Sequence, residues 1–422
     1  MRRVVVTGYG AVSPCGLSAD TSFDAIREGK SGISPISHFD ASEFAVRIAG
    51  QCHGFQPELF VPKRDVRSMD RFIHLAMGAA EETVRTAGLS AEKSADSAAF
   101  RERIGVLVGV GIGGLGYMEA MCKVLADKGP SRITPYFIPA TISNLAPGQI
   151  SMKYGFKGTS FTTSSACSSG AHAIGEAFRA IARDDLDGCV AGGAEATITP
   201  LGIGGFAAMR ALSRRNDAPA QASRPWDRER DGFVSAEGAG LLFLEEREHA
   251  LARGATVYAE LVGYGSASDA FHMTTPAPEG EGAQRSMRAA LRDAQLDPSR
   301  IDYLNAHATS TPGGDMVELA AIRHVFGAHA VSGSTGGRLW ISSTKSHTGH
   351  MLGAAGGFES VVSVLALHRG VVPATLNLDQ PESDSAGLDL VPHTARDRAL
   401  EYVLSNSFGF GGTNASLIFA RA

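Results

Sequence analysis

Short β-branched runs alternate with alanine-rich stretches along the whole chain. The runs Arg3–Thr7, Ile104–Val110, Cys189–Ala191, Ala239–Glu245, Val257–Val262 and Leu339–Ser342 predict strands. Phe72–Ala87, Ser169–Ala182, Arg285–Ala294, Met316–Phe326 and Gly356–His368 predict helices. In Ser169–Ala182 the apolar stripe is plain: Ile174, Ala177, Phe178 and Ile181 recur at helical spacing. This alternation predicts an α/β fold with buried, largely parallel sheets.

The pattern also suggests a duplication. Ser160–Gly193 reads strand, serine-rich turn, alanine-rich helix, strand, and Leu339–Thr375 reads the same way. Val4–Gly10 (VVVTGYG) echoes Tyr258–Gly265 (YAELVGYG). A junction near Glu248–Gly254 divides the chain into an N-terminal half, 1–252, and a C-terminal half, 253–422.

Composition narrows the function classes. The 422 residues carry 39 Lys+Arg against 44 Asp+Glu, a net charge of −5, with no dense basic run. That removes the electrostatic footprint of a nucleic-acid binder and leaves phosphate-bearing partners only a local patch. Val4–Val6 is too short for a signal-peptide core, and no apolar stretch reaches the ~18 residues a membrane span needs. The five cysteines (15, 52, 122, 167, 189) are scattered without a C-x-x-C pair, which argues against a disulfide scaffold or a cysteine-built zinc site. The expectation is a soluble cytoplasmic protein with reduced thiols.

Gly111–Gly116 (GIGGLG) matches G-x-G-x-x-G after a strand, but Met121–Pro135 offers no second strand ending in an acidic residue. It is read as a tight turn where backbones approach, and no P-loop sequence occurs. Cys167, in SSACSSG, falls between a strand and the start of a helix. A helix N-terminus favours an anion by about 0.3–2 kcal/mol, and the thiolate is the nucleophilic form of cysteine. His307 (NAHATSTP) and His350 (STKSHTGH) are framed by small polar residues and glycines, which suits imidazoles aimed at a ligand. His347 and His350 form H-x-x-H, but no zincin glutamate lies between them and no third ligand is evident. His172, within the predicted helix, reads as packing. Together these features point to a thiol enzyme with one or two histidines.

Four motifs in order resemble the thiolase superfamily, and within it the beta-ketoacyl-acyl-carrier-protein synthases of type II (KAS II). They are ACSSG around Cys167, NAHATSTPGGD around His307, SSTKSHTGHMLGAAGGFES around Lys345 and His350, and NSFGFGGTNASLIF at 406–419. HFDASEFA, LSRRND and SRPWDRERDGF extend the likeness over essentially the whole chain. The resemblance implies a thiolase-like fold of two duplicated halves, each with a mixed five-stranded sheet, in αβαβα layers. It also implies a dimer.

By the same resemblance, Cys167 takes the acyl chain from an acyl carrier protein, and His307 and His350 bind the malonyl thioester and assist its decarboxylation. The enolate then attacks the acyl-Cys carbonyl, extending a fatty acyl or polyketide chain by two carbons. Backbone N–H groups of Cys167 and Phe410 form the oxyanion hole. Lys345 and Glu359 fix the histidines and order water, and Phe410 gates entry. Thr309 and Thr311 contact the phosphopantetheine arm, and Ile112 lines the acyl pocket. The enzyme holds no cofactor, because phosphopantetheine belongs to the carrier. Lys63, Arg64, Arg67, Arg210 and Arg214 make a basic rim for the acidic carrier protein. The dimer is a homodimer, or a heterodimer in which this chain is the active subunit beside a chain-length factor; no nucleic-acid or membrane partner is expected.

Two positions depart from the family pattern: Ala308 where glycine is usual, and His347 where an apolar residue is commoner. Each borders a catalytic residue, so an altered pocket is expected. A thiolase would need a second cysteine near the C-terminus, and none follows Cys189. Chalcone-synthase-like enzymes would have Cys-His-Asn where this chain has Cys-His-His.

Overall fold

Ten strands form the frame of the molecule, a computed structural model that describes residues 1–89, 97–331 and 338–422. In chain order they are β1 (Val4–Val12), β2 (Ile104–Gly109), β3 (Ser160–Phe161), β4 (Gly188–Glu195), β5 (Gly238–Glu246), β6 (Ala259–Ser268), β7 (Tyr303–Asn305), β8 (Trp340–Ser342), β9 (Tyr402–Gly409) and β10 (Thr413–Ala420). Their spatial order is β8-β7-β9-β10-β6-β1-β5-β4-β2-β3. The two sets of five are the same arrangement used twice: β3-β2-β4-β5-β1 on one side and β8-β7-β9-β10-β6 on the other. Within each set the first two pairings are parallel and the next two antiparallel. The sheet is therefore mixed rather than largely parallel.

The sets meet where β1 pairs antiparallel with β6, Val4 opposite Leu261 and Val6 opposite Ala259. These are the two segments whose sequences echo one another. Both run well beyond their predicted ends, through Gly8 and Gly10 in β1 and Gly263 and Gly265 in β6. The glycines serve the neighbouring helices. A Cβ on Gly10 would collide with Ala79 O and lie 2.7 Å from Thr83 N, in α1 (Arg71–Thr86). A Cβ on Gly265 would collide with Ser286 O and lie 2.5 Å from Ala290 N, in the helix Glu281–Ala294.

The longer helices beside it in the layers are α2 (Leu115–Lys128), α3 (Ser169–Ala182), α4 (Glu281–Ala294), α5 (Gly314–Phe326) and α6 (Ala355–Arg369). α3 and α6 lie in the middle and touch strands of both sets, α1 covers β1 and β5, and α4 covers β6 and β10. α6 is buried on every side from Ala355 to Leu367, and apart from Glu359, Ser360 and Ser363 its residues over that stretch are apolar or glycine, as a helix enclosed on all sides requires. The repeat closes later than the sequence pattern indicates. After α6, Val371–Val372 pairs only with Arg396–Asp397, and the counterpart of β4 is β9, some thirty residues on. Among the described residues no helix is long and apolar enough to cross a membrane, and all five cysteines are unpaired.

Candidate active site

The strand ends of both sets face a cavity of about 590 Å³ lined by Cys167, His307, His350, Thr309, Thr311 and Phe410, with Ile112 and Leu352 also on its wall. Each reactive side chain leaves the end of a strand or enters a central helix. Cys167 lies in the turn Ala166–Ser168, one step before α3 rather than within its first turn. Ala166 takes a left-handed conformation, φ 52°, which turns the chain sharply before the cysteine. The matching turn ahead of α6 is Leu352–Ala354, where Leu352 repeats the left-handed conformation of Ala166 (φ 47°); His350 lies two residues before it, and His307 follows β7. The turns can approach because they are bare: a Cβ on Gly170 would sit 2.7 Å from Gly357 N, and one on Gly193 would collide with Gly353 O.

The three ligand atoms of Cys167, His307 and His350 lie within 4.8 Å of one another. The two imidazole rings are 5.4 Å apart at 85°, and Phe233 meets the His350 ring edge-on at 5.5 Å. Burial, reinforced by the nearby Lys345 ammonium, holds both histidines well below their ordinary 6.5, so both rings are neutral. Neither nitrogen of His350 nor Nδ1 of His307 has a hydrogen-bond partner among the described residues. A resident metal ion would meet an adjacent ammonium and imidazoles without the oriented partners that metal-bound histidines use. The same bare rings suit a ligand that accepts hydrogen bonds.

Cys167 does not rest as the thiolate that a helix N-terminus alone would favour. Burial pushes its thiol up to about 12, against the opposing pull of Lys345 and of the Phe410 and Cys167 backbone N–H groups that face the sulfur. The thiol must therefore lose its proton as it reacts. Lys345 is buried behind the cavity and paired with Glu359. Burial raises the Glu359 carboxyl to about 7 despite that ammonium, which meets its Oε1, and its Oε2 has no partner among the described residues.

Two glutamates absent from the sequence reading organise the loops. Glu318, on α5, accepts the backbone N–H groups of His307 (2.9 Å) and Ala308 (2.7 Å) and the Asn406 side chain (3.1 Å). Glu195, the last residue of β4, accepts four N–H groups of the Gly111–Gly113 and Gly353 turns. Both are buried, and both are raised by burial to about 7. Asp315 likewise ties the Trp226 N–H to those of Ser310 and Thr311, joining SRPWDRERDGF to the His307 loop.

Family models match residues 1–250, as the beta-ketoacyl synthase N-terminal domain, and 258–379, as its C-terminal domain. The chain belongs to the beta-ketoacyl synthase family. Its relatives include the 3-oxoacyl-[acyl-carrier-protein] synthase 2 of Vibrio cholerae, 49% identical over 421 residues, and that of Coxiella burnetii, 48% identical over 420. Each comparison covers 100% of this chain and 99% of the relative. The solved ishigamide ketosynthase/chain length factor superposes with a TM-score of 0.90 at 30% identity, over 100% of this chain and 99% of that one. This ketosynthase is thus a condensing enzyme with a thiolase-like fold.

The remaining expected residues fall into three groups. Thr309 and Thr311 face the cavity with their hydroxyls 3.1 Å apart. Lys63, Arg64 and Arg67 are exposed on one stretch, and Arg210 and Arg214 line a small surface pocket with Asp231. His347 does not face the cavity, contrary to the expectation that it alters the pocket: its ring nitrogens lie 3.1 Å from Lys30 O and 3.0 Å from Ala374 O. Ala308 does line the cavity. His172 is not mere packing, since its Nδ1 lies 2.6 Å from the Ser165 hydroxyl, two residues from the nucleophile.

Proposed function

We propose that Cys167 is the acyl-carrying nucleophile of a decarboxylative condensation, with His307 and His350 as its hydrogen-bond donors. The convergence of one buried thiol and two neutral imidazoles on a single cavity carries this reading. The Cys167 sulfur attacks the acyl thioester of a carrier protein; the phosphopantetheine thiol leaves and takes up the proton that the cysteine gives up. The Phe410 and Cys167 N–H groups stabilise the oxyanion that forms in between, an arrangement commonly worth about 10²–10³ in rate. The malonyl thioester then enters, and its carbonyl oxygen accepts from both imidazoles. Breaking the bond to the carboxylate releases CO2 and leaves the electron pair on the enolate, where those donors lower the barrier. The enolate carbon attacks the acyl-Cys carbonyl and expels the Cys167 sulfur as a thiolate, which takes a proton from solvent to restore the resting thiol. The product is a β-ketoacyl thioester two carbons longer.

Lys345 and Glu359 hold the field at the imidazoles, Phe410 gates the cavity, and Thr309 and Thr311 hold the phosphopantetheine arm. That arm arrives on the carrier protein, and the enzyme needs no cofactor of its own. The exposed Lys63, Arg64, Arg67, Arg210 and Arg214 meet the acidic carrier. The partner subunit is a second copy: β3 is a sheet edge, and beside it Tyr136, Ile138, Ile142, Met152 and Phe161 leave an exposed apolar face. The relatives near 49% identity are named as acyl-carrier-protein synthases, whereas the ketosynthase/chain length factor stands at 30%. This favours chain elongation by a homodimer, in the cytoplasm, over work beside a chain-length factor.

Intact-protein mass after incubation with acyl carrier protein thioesters of graded length tests the nucleophile. Wild type is expected to gain one acyl group and Cys167→Ala none. No gain with any chain on folded protein would refute the stand-alone synthase.

A further inference from the structure

The glycine run Gly111–Gly116 opens with three consecutive N–H groups turned inward onto one carboxylate. Gly111 N donates to Glu195 Oε2 at 2.7 Å, Ile112 N to both oxygens at 3.2 Å, and Gly113 N to Oε1 at 3.1 Å. A fourth N–H, from Gly353 in the other half of the chain, donates to Oε2 at 3.2 Å. Glu195 is fully buried, and every hydrogen bond it accepts comes from backbone. The glycines are required by this contact: a Cβ on Gly111 would lie 2.6 Å from Glu195 Oε2, and one on Gly353 2.7 Å from it. Consecutive amides of this kind form an anion nest, and here the anion is the protein's own side chain.

What the nest holds lies on the cavity wall. Ile112 is the middle residue of the three, Leu352 precedes Gly353, and both line the cavity that contains Cys167. The duplication sharpens the point. β2 and β7 are counterparts, and the loop after each is held through its amides by a buried glutamate. After β7, Glu318 holds the loop that carries His307; after β2, Glu195 holds the loop that carries Ile112.

We infer that Glu195 is a specificity-determining positioning residue, which locks the Ile112 and Leu352 segments together and so sets which acyl chains Cys167 accepts. The inference rests on the acyl-Cys167 reading, and the experiment separates the two. Single-turnover acylation of Cys167 is followed by intact mass over saturated acyl carrier protein thioesters of increasing length. The proteins compared are wild type, Glu195→Gln, Ile112→Ala and the double variant, with melting temperature measured for each. An amide in place of the carboxylate turns an N–H pair toward backbone N–H groups and opens the nest.

The expected result is that the rate ratio between the preferred chain and longer ones falls at least about tenfold in Glu195→Gln, the scale on which a pocket discriminates single chain units. In the Ile112→Ala background the same change should move the ratio less than about twofold, because the two residues act as one unit. A uniform slowing at every length, or an equal shift in both backgrounds, would overturn the inference while leaving acylation intact. Absence of acylation in wild type would instead remove the nucleophile reading. Should Glu195→Gln fail to fold, Gly111→Ala opens the same contact, since its Cβ would lie 2.6 Å from Glu195 Oε2 and 3.4 Å or more from the other neighbouring atoms, and an unchanged length profile there would overturn it equally.

Discussion

Replacing Lys345 with methionine removes one member of a buried ion pair and keeps nearly the same volume. Glu359 then loses its only hydrogen-bond partner among the described residues while remaining buried. Breaking such a pair from one side is generally worth about 3–5 kcal/mol of stability. Glu359 has an escape, because it can take up a proton. Its carboxyl stands at about 7 with the ammonium in place, and without it burial drives it higher still. A group raised in the folded state contributes stability that is present at low pH and lost as pH rises through the folded value. Above about pH 7 wild-type Glu359 has given up its proton, whereas the variant must keep it. The variant's deficit should therefore grow by up to about 1.4 kcal/mol per pH unit, or about 2 kcal/mol between pH 7.0 and 8.5. Urea denaturation of Lys345→Met at those two pH values measures this, with Lys345→Met/Glu359→Met as control. The double variant should lose the pH dependence and recover much of the stability. A deficit independent of pH, or a double variant no better than the single, would refute the electrostatic account of the pair.

Three other expectations follow from the same structure. Because burial and Lys345 keep His307 and His350 neutral far below 6.5, single-turnover decarboxylation of the malonyl thioester should show no inflection near pH 6.5 in wild type, and removing the Lys345 charge should move the inflection upward; an inflection near 6.5 in wild type would contradict the neutral pair. Gly10→Ala should destabilise by at least about 1–3 kcal/mol by overpacking α1 against β1, whereas Gly205→Ala, with nothing within 4 Å of its added Cβ, should be neutral or slightly stabilising in thermal melts. Phe161→Asp places a charge on the exposed edge strand and should shift the protein from dimer to monomer in sedimentation velocity; an unchanged sedimentation coefficient would place the subunit contact elsewhere.

The six strands expected from β-branched and apolar runs all form, several of them running longer than expected where glycines intervene, whereas β9 and β10 were not among those expected. β1 was expected to end at Thr7, where the β-branched run gives way to Gly8 and Gly10, and β4 was expected over three residues rather than eight, where Gly192 and Gly193 follow the run. In each case glycine marks a neighbouring backbone, information that sequence periodicity does not contain. The reactive residues were legible because each sits in a frame of small residues at a strand or helix end. Their electrostatic state was not, since Cys167 is governed by burial rather than by the helix behind it. Glu195 and Glu318 were invisible for a different reason. Their partners are 84 and 11 positions away, and nothing in the spacing announces a carboxylate that binds backbone.

The duplication explains why the chemistry lies at the join between the two halves. In each half, the loop after the second strand and the turn before the central helix come together at the strand ends. The turn before α3 supplies Cys167, and the segment leading into its counterpart before α6 supplies His350. The loop after β7 supplies His307, and its counterpart after β2 supplies Ile112. Corresponding ends of the two halves thus yield one nucleophile, two donors and one wall for the chain. Neither half alone brings a thiol and an imidazole pair together. The glycines at 170, 193, 353 and 357 let the two central helices start close enough to do so. Any side chain added at those four positions should therefore disturb acylation and decarboxylation together, because it separates the halves rather than removing a reacting group.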